Sequence, residues 1–471
     1  MEEFEYAILG QGAAAFAAAI KANELGVKTV MIGQNATRGA LIGGTCVNVG
    51  CVPSKRLISA GEYAIDGSMR KFSGVEISKP KINFKELMRD KDRLISGMRT
   101  EKYEDVLKGL ENVSFVESFA SLNENGTISV GKKEITAEKI LIATGARASV
   151  PKIEGIDTTT YLTNEEALSL EELPESITIV GGRAMGLEFA QLFSSLGSKI
   201  TVLQRSSTIL PEWEPEISTS LSHYLQDSGI KIITGASTTK IGEEGDKKYV
   251  EFSVNGRVSR AYSDQILFAT GRTPNTERLN LQSQGIETDK SGFIKIDRYM
   301  MTNKTGIYAA GDVTGNPMLE TLAAKEGNLA TQNAFTNAKL AINPREVPNV
   351  VFTMPEAAMV GLTDEEANGS GIKCSCGVLP MSEVPKASIL GDERGLVKIV
   401  IDYKTHKILG VSVLARNASD MISEATLAVK FGLTIDDIID TVHPFPTLNE
   451  ALKLASISFY SDVSKMSCCT I

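Results

Sequence analysis

The sequence predicts an α/β protein: two strand–turn–helix–strand units followed by a smaller α+β domain. Three observations carry that prediction. An apolar strand pattern at residues 6–9 runs into a glycine turn at 10–12, an alanine-rich helix at 13–25 and a second strand at 29–32. The same order recurs over residues 177–203, with a turn at Gly181-Gly182 and a helix over 185–196. From about residue 350 the pattern changes to strands at 395–401 and 407–414 and helices at 419–431 and 448–459, with no glycine turn. At about 150 residues per domain, 471 residues hold about three domains.

The first unit carries Gly10-Gln11-Gly12-Ala13-Ala14-Ala15, which fits G-x-G-x-x-G/A between a strand and a helix. The first glycine allows the tight turn and the second lets a pyrophosphate approach the backbone. A small third residue lets helix pack on strand, and the helix N-terminus favours the anion. This is a Rossmann-like dinucleotide-binding turn, and its recurrence implies two such modules in one chain. An acidic residue for the ribose is expected about 20 residues on. Gly33 stands there, so ribose recognition is expected from Gln34 or from backbone.

Polar, hairpin-like sequence follows each unit, with Asn125-Gly126 and Asn255-Gly256 as two-residue turn signals. Each stretch ends in a similar strand, ILIATGA at 140–146 and ILFATGR at 266–272. IYAAGDV follows at 307–313, and a proline-bounded segment at 343–348 marks the last boundary.

Composition excludes several classes. Lys plus Arg number 49 and Asp plus Glu 58, a net charge of −9 with no basic stripe for a nucleic-acid backbone. No apolar run reaches the ~20 residues of a membrane span, and the acidic start MEEFEYAILGQG does not read as a signal peptide. The expected location is the cytoplasm. Six cysteines are too few for a disulfide-stapled scaffold. They fall in pairs: Cys46 and Cys51, Cys374 and Cys376, Cys468 and Cys469. In a reducing compartment such pairs point to redox or metal chemistry.

The first pair sits in GGTCVNVGCVPSK, residues 43–55, at a glycine-to-helix transition. Two cysteines separated by four residues there can form a local disulfide, and a helix N-terminus lowers a thiol pKa, giving a nucleophile and metal ligand. The motif resembles the redox-active signature of the flavoprotein disulfide reductases, and supporting motifs extend over nearly the whole chain. The resemblance implies an FAD-binding domain at 1–150, an NAD(P)-binding domain at 151–270, a return to the FAD domain at 271–345 and a dimerisation domain at 346–471. It assigns Gly10, Gly12, Gly44, Thr45, Lys55, Ala120, Thr144, Gly145, Gly311 and Asp312 to FAD, with Asp312 on the ribityl chain. By the same resemblance Cys51 lies against the flavin and Cys46 exchanges with substrate.

The second turn reads Gly181-Gly182-Arg183-Ala184-Met185-Gly186-Leu187-Glu188, with Arg183 in place of the middle glycine. Where NAD enzymes carry an acidic residue, this chain has Gln204-Arg205-Ser206-Ser207, which suits a 2′-phosphate and hence NADPH. Gly181, Gly186, Glu188, Arg205 and Gly271 are assigned to NADPH. By resemblance Glu188 lies near the nicotinamide and pairs with Lys55.

The C-terminal segment reads His443-Pro444-Phe445-Pro446-Thr447-Leu448-Asn449-Glu450. Disulfide reductases carry His-Pro-Thr followed three residues later by Glu, the His being the acid/base of thiol exchange. Counted back from Glu450, that position is Phe445, which moves no proton. A slipped register would instead make His443 the base. The chain ends Ser467-Cys468-Cys469-Thr470-Ile471. Adjacent terminal thiols make no tetrahedral zinc site alone, but they can hand over a soft, low-coordinate ion. This tail, with LKLA upstream, is similar to that of the mercuric reductase branch of the family.

That resemblance implies a homodimer in which Cys468 and Cys469 of one subunit collect Hg(II) from thiol complexes and pass it to Cys46 and Cys51 of the other. It implies one active-site tyrosine at Tyr161 and places Phe445 where a second would stand. The expected reaction is NADPH-dependent reduction of Hg(II) to Hg(0) through FAD. The rival is a thiol-disulfide reductase of the dihydrolipoamide dehydrogenase or glutathione reductase type. Cys374 and Cys376 match no motif of the family and read as two incidental thiols in a loop.

Overall fold

The computed structural model describes residues 2–467 except 35, 36, 38, 39, 70, 71, 77, 79 and 316. Cys468 and Cys469 lie outside the described residues. The chain opens with β1 (Glu2–Leu9), α1 (Ala13–Glu24) and β2 (Thr29–Gly33). Next come α2 (Gly44–Val49), α3 (Cys51–Met69) and α4 (Phe84–Arg99). One π-helical turn, Thr100–Glu104, leads into α5 (Asp105–Lys108). Then follow β3 (Val113–Glu117), β4 (Ala120–Leu122), β5 (Ile128–Val130) and β6 (Lys133–Ile142). The sheet order is β3-β2-β1-β6-β5-β4, parallel from β3 through β6 and antiparallel beyond it.

The period of two along β1 divides its faces. Tyr6 and Ile8 join Met31, Leu141 and the alanines of α1 in one core, while Ala7 and Leu9 join Val30, Ile32 and Ile142 in another. A sheet apolar on both faces is what a parallel, helix-covered sheet requires.

The chain leaves through β7 (Ala146–Ala148) and the short α6 (Asn164–Ala167) into a second sheet. Its elements are β8 (Ser176–Val180), α7 (Ala184–Leu196), β9 (Lys199–Leu203), α8 (Pro215–Asp227) and β10 (Lys231–Ile233). A meander of β11 (Ser237–Glu244), β12 (Lys247–Val254) and β13 (Arg257–Ser263) precedes β14 (Gln265–Phe268). The parallel order is β10-β9-β8-β14. The Asn255-Gly256 turn between β12 and β13 has both residues at positive φ, the mirror-image turn that suits strand twist.

β15 (Arg272–Pro274) pairs antiparallel with β7, returning the chain beside its exit, and β16 (Ile307–Ala309) pairs with β6 in the first sheet. The long α9 (Glu320–Phe335) then packs on α1. The second unit is thus an excursion from the first.

The last region contains β17 (Asn349–Val351), β18 (Glu356–Gly361), α10 (Asp364–Gly369) and β19 (Cys374–Pro380). After these come α11 (Pro385–Leu390), β20 (Leu396–Asp402), β21 (Ile408–Ala415), α12 (Ala418–Phe431), α13 (Ile435–Asp440) and α14 (Glu450–Ile457). The antiparallel order is β17-β18-β21-β20-β19. One correction to the sequence reading falls here. Cys374 and Cys376 lie on β19, an edge strand, and not in a loop. A Cys-Ser-Cys-Gly run has no apolar alternation to announce a strand; pairing with β20 along its whole length makes it one. Among the described residues, no helix is long and apolar enough to cross a membrane.

Candidate functional site

The thiol pair hangs from the first glycine turn. Gly44 opens α2 at φ +69, and a Cβ on it would stand 2.7 Å from the Gly12 Cα. The first glycine turn and the helix that carries Cys46 are therefore in direct backbone contact. α2 stops at Gly50 and α3 begins at Cys51, which places the Cys51 sulfur at the N-terminus of a 19-residue helix. There the hydrogen bond from the Cys46 thiol and the Lys55 ammonium lower the Cys51 pKa to about 7, against the opposing effect of burial. The same hydrogen bond and burial push Cys46 upward. The pair is asymmetric: their hydrogen bond favours the proton on Cys46 and the thiolate on Cys51.

Two further groups stand near these sulfurs: Glu320 acts on both, and both act on Tyr103. Tyr103 sits on the π-helical turn, with its ring edge-on to Phe16 at 5.0 Å between centroids. A Cβ on Gly43 would meet that ring at 3.1 Å. Burial, then the thiols and Glu320, push its phenol up to about 12. Sequence reasoning missed both groups. A π turn breaks the 3.6 period on which helix reading rests, and it is itself a common mark of a functional site. Tyr161 packs edge-on against Phe268 in the second unit, centroids 5.4 Å apart.

Lys55 and Glu188 meet as the resemblance implied. Lys55 Nζ is 2.6 Å from Glu188 Oε2 and lies 4.6 Å from the centre of the Phe352 ring. The Phe352 amide donates to Glu188 Oε1 at 3.0 Å. One ion pair thus ties α3, α7 and the start of the C-terminal region together, one helical turn from Cys51.

The proposed flavin residues converge on the first sheet's switch region. Gly10 lies under the Ala143 carbonyl, Thr144 donates to the Asn275 carbonyl at 2.9 Å, and Gly145 turns towards open space at φ +69. The segment carrying Ala120 runs beside the end of β2, where the Ser118 amide donates to Gly33. Gly311 donates its amide to Glu326 at 2.7 Å. Burial raises the Asp312 carboxyl, and Arg272, 3.3 Å away, partly offsets this. Arg272 also reaches Thr45 Oγ1 at 3.3 Å and the Ala146 carbonyl. Arg272, in sequence only the end of a strand motif, thus links Asp312 to Thr45, two residues assigned to FAD only by resemblance.

At Gly33 a Cβ would strike Gln11 Oε1 at 2.2 Å. The Gln11 side chain, donating to the Ala40 carbonyl, fills the space an acidic residue would need. The neighbouring Gln34 has a buried Oε1 with no hydrogen-bond partner among the described residues. An orphaned buried acceptor calls for a donor, and a ribose hydroxyl fits it. α1 also begins with no side-chain cap and no acidic residue in its first turn, as an anion site requires. The residues present fit a dinucleotide flavin.

In the second unit Gly181 lies under the Ala269 carbonyl and Gly186 against the Gly181 carbonyl. Arg183 holds φ −99 and ψ −174, nearly the −94 and −167 of Gly12. That is extended backbone open to any residue, so the substitution leaves the turn intact. Arg183 pairs with Glu212. Gln204 is buried and accepts from the Gly182 amide at 2.9 Å, bracing the turn. Arg205, next to it, is exposed and makes no ion pair among the described residues, and Gly271 faces open space.

At the C-terminal segment, both ring nitrogens of His443 are engaged, Nδ1 with the Thr441 carbonyl at 3.0 Å and Nε2 with Glu424 Oε1 at 2.7 Å. Asn449 holds the other Glu424 oxygen at 3.1 Å. Glu450, the carboxylate that orients the base in disulfide reductases, has a buried Oε2 without a hydrogen-bond partner among the described residues, and burial raises its carboxyl. Phe445 is 53% exposed. The register with Phe445 at the base position is the one this geometry favours, because His443 has no free nitrogen.

The pyridine nucleotide-disulphide oxidoreductase profile matches residues 4–327, and that family's dimerisation domain matches 347–456. The chain is 42% identical over 469 residues to a mercuric reductase of Bacillus cereus, spanning 99% of this chain and 73% of that protein. To a mercuric reductase of Staphylococcus aureus it is 41% identical, spanning 99% and 84%. To one of Streptomyces lividans it is 39% identical, spanning 99% and 98%. Among solved structures it is similar to the HOCl-induced flavoprotein disulfide reductase RclA from Escherichia coli, with a TM-score of 0.85 and 28% identity over 96% of this chain and 99% of that one. The Cu(II) complex of RclA gives a TM-score of 0.86. The chain belongs to the pyridine nucleotide-disulphide oxidoreductase family, and within it to the mercuric reductases.

Proposed function

We propose that the protein reduces Hg(II), presented as a thiol complex, to Hg(0) with NADPH as reductant and FAD as carrier. The balanced reaction is Hg(SR)2 + NADPH + H+ → Hg(0) + NADP+ + 2 RSH. The observation that carries it is the buried Glu450 Oε2, which accepts no hydrogen bond among the described residues, with Phe445 at the base position and both His443 nitrogens engaged elsewhere. Thiol–disulfide exchange needs a group there to protonate the leaving thiol. Metal exchange does not, because each thiol displaced from Hg(II) takes the proton of the thiol replacing it.

FAD, when bound, supplies the passage of an electron pair from nicotinamide to the thiol side. Gly10, Gly12, Gly44, Thr45, Ala120, Thr144, Gly145, Gly311 and Asp312 would hold it, with Gln34 on a ribose. Gly181, Gly186, Gly271 and Arg205 would hold NADPH, with Arg205 on the 2′-phosphate. The Lys55–Glu188 pair orients the joint between them. Cys46, with Cys51, ligates Hg(II) as a bis-thiolate, and Tyr103 and Glu320 shape that end, with Tyr161 beyond. The dimerisation region supports a homodimer in which Cys468 and Cys469 of the other subunit deliver the metal. The domain limits read from sequence and a cytoplasmic location belong to the same proposal.

The test is NADPH oxidation with Hg(II) in excess thiol, against oxidation with lipoamide or glutathione disulfide. Hg(II)-dependent turnover with little disulfide turnover is expected. Robust disulfide turnover without Hg(II) activity would refute the reading and favour the disulfide-reductase rival, which the likeness to RclA keeps in view. Cys468→Ala with Cys469→Ala should cripple Hg(II) turnover and spare flavin reduction by NADPH.

A further inference from the structure

The Cys374–Cys376 pair lies far along the chain from the redox centre, on the edge strand of the last sheet. Among the described residues β19 pairs only with β20, with Cys374 opposite Asp402 and Cys376 opposite Val400. Residues two apart on a strand share a face, so both thiols project to one side. Gly377 and Leu379 take the other side: a Cβ on Gly377 would meet the Phe459 ring at 2.6 Å, and Leu379 is in the core against the C-terminal helices. Cys376 is exposed and Cys374 half-buried, the latter with its Sγ 4.0 Å from the Asp364 carbonyl.

The wall beside the thiols is rigid. Lys398, opposite Val378 on the same face, is buried and holds Glu214 at 2.8 Å, Asp364 at 2.9 Å and Glu216 at 3.0 Å. These carboxylates are therefore already engaged. Among the described residues no group of three or more His, Cys, Asp or Glu could hold a metal ion. A tetrahedral zinc site is excluded there by want of ligands. Two thiolates on one face satisfy a cation that prefers two soft ligands in a line.

Spacing supports the same choice. Alternate Cα atoms on a strand stand about 6.6–6.8 Å apart, at the outer limit for a disulfide. A linear sulfur–metal–sulfur unit spans about 4.6 Å or slightly more, twice a metal–thiolate bond of ~2.3 Å. Two parallel side chains that lean together reach that span more readily than the ~2 Å of an S–S bond.

We propose that Cys374 and Cys376 form a second binding site for a soft, two-coordinate thiophilic cation, separate from the redox pair. Loading is ligand exchange without oxidation: two metal–sulfur bonds to the carrier thiols break, two form to Cys374 and Cys376, and the two protons leave on the released thiols. The site goes beyond the proposed reaction and does not depend on it.

The experiment uses the oxidised holoenzyme, whose Cys46–Cys51 disulfide takes no metal. Wild type, Cys374→Ser with Cys376→Ser, and Cys468→Ser with Cys469→Ser are each loaded with Hg(II) from a glutathione complex, desalted and analysed for mercury. The first variant should lose about one equivalent per chain relative to wild type, with its flavin spectrum unchanged, while the second keeps that equivalent. Zn(II) should not be retained. Should the double variant fail to fold, Cys376→Ser alone, at the exposed position, should lose the same equivalent, since one thiolate does not hold the ion against glutathione. Undiminished mercury in the variants, equal retention of Zn(II), or a thiol count showing Cys374 and Cys376 already joined would each overturn the proposal.

Discussion

The two glycine turns are built to one pattern and carry different burdens. Gly12 and Arg183 occupy the same place with nearly the same backbone angles. Beside the first lies Gly44, at the head of the thiol helix: a Cβ on Gly12 would meet the Gly44 Cα at 3.7 Å, an ordinary contact, whereas a Cβ on Gly44 would stand 2.7 Å from the Gly12 Cα; the second carries an arginine paired with Glu212. The strands after the turns differ likewise. At the end of β2, Gln11 fills the acidic residue's space, and the Gln34 acceptor has no hydrogen-bond partner among the described residues. At the end of β9, Gln204 braces the turn, and Arg205 is exposed with no ion pair among the described residues. Neighbouring groups of the protein, and not the ligand alone, decide which residues such a turn accepts.

The largest expected effect comes from breaking the first turn's contact. Gly44→Ala places a Cβ 2.7 Å from the Gly12 Cα at a φ of +69. Backbone must move, at a cost of about 1–3 kcal/mol. Since a displacement near 1 Å can lower turnover by about 100-fold, the variant should lose flavin on purification and at least that much Hg(II)-dependent activity. Flavin absorbance per chain measures the first and the NADPH assay the second. A variant that keeps full flavin and full rate would show that the contact is incidental.

Arg205→Ala tests the exposed cation of the second unit. A hydrogen bond to a charged group contributes about 1.5–3 kcal/mol, so kcat/KM for NADPH should fall roughly 10- to 150-fold while that for NADH changes little. Equal losses for both nucleotides would remove the 2′-phosphate role.

How far the sequence reached follows from the same comparison. Both units were legible because a glycine turn separates a period-two strand from an apolar helix, and the thiol motif is local and long. What escaped was set by distant backbone. Nothing around Gly33 shows that Gln11 folds beneath it, and nothing around Gln204 shows that its amide accepts from Gly182. Tyr103 comes near the thiols on a π turn, and Glu320 comes from the start of α9, beyond the chain's return to the first sheet. Cys374 and Cys376 became a strand only through β20.

The thiols hang from the first unit alone, and their pH dependence probes that attachment. Cys51 is lowered from the ordinary cysteine range to about 7, chiefly by the Cys46 thiol and then by Lys55. Above that pH Cys51 is a thiolate; each unit below it reduces the thiolate about tenfold. The long-wavelength absorbance by which a thiolate reports on adjacent flavin in the reduced holoenzyme should therefore fade with a midpoint near pH 7. Lys55→Met should shift the midpoint upward. A midpoint above about 8.5 in the unaltered protein would mean that neither neighbour acts on Cys51.

The smallest effect is expected where the two turns look most different. Arg183→Gly restores the glycine pattern in the second unit, yet at φ −99 and ψ −174 the backbone needs no glycine. Glycine at a helix N-cap shifts stability by only a few tenths of a kcal/mol, and an exposed ion pair such as that with Glu212 contributes about 0–1 kcal/mol. Thermal unfolding should therefore move little, and KM for NADPH should change less than about threefold. A tenfold rise in KM for NADPH, with NADH unaffected, would assign Arg183 to the phosphate beside Arg205. The pairing with Glu212 argues against that outcome, because it holds the guanidinium on a carboxylate of the protein itself.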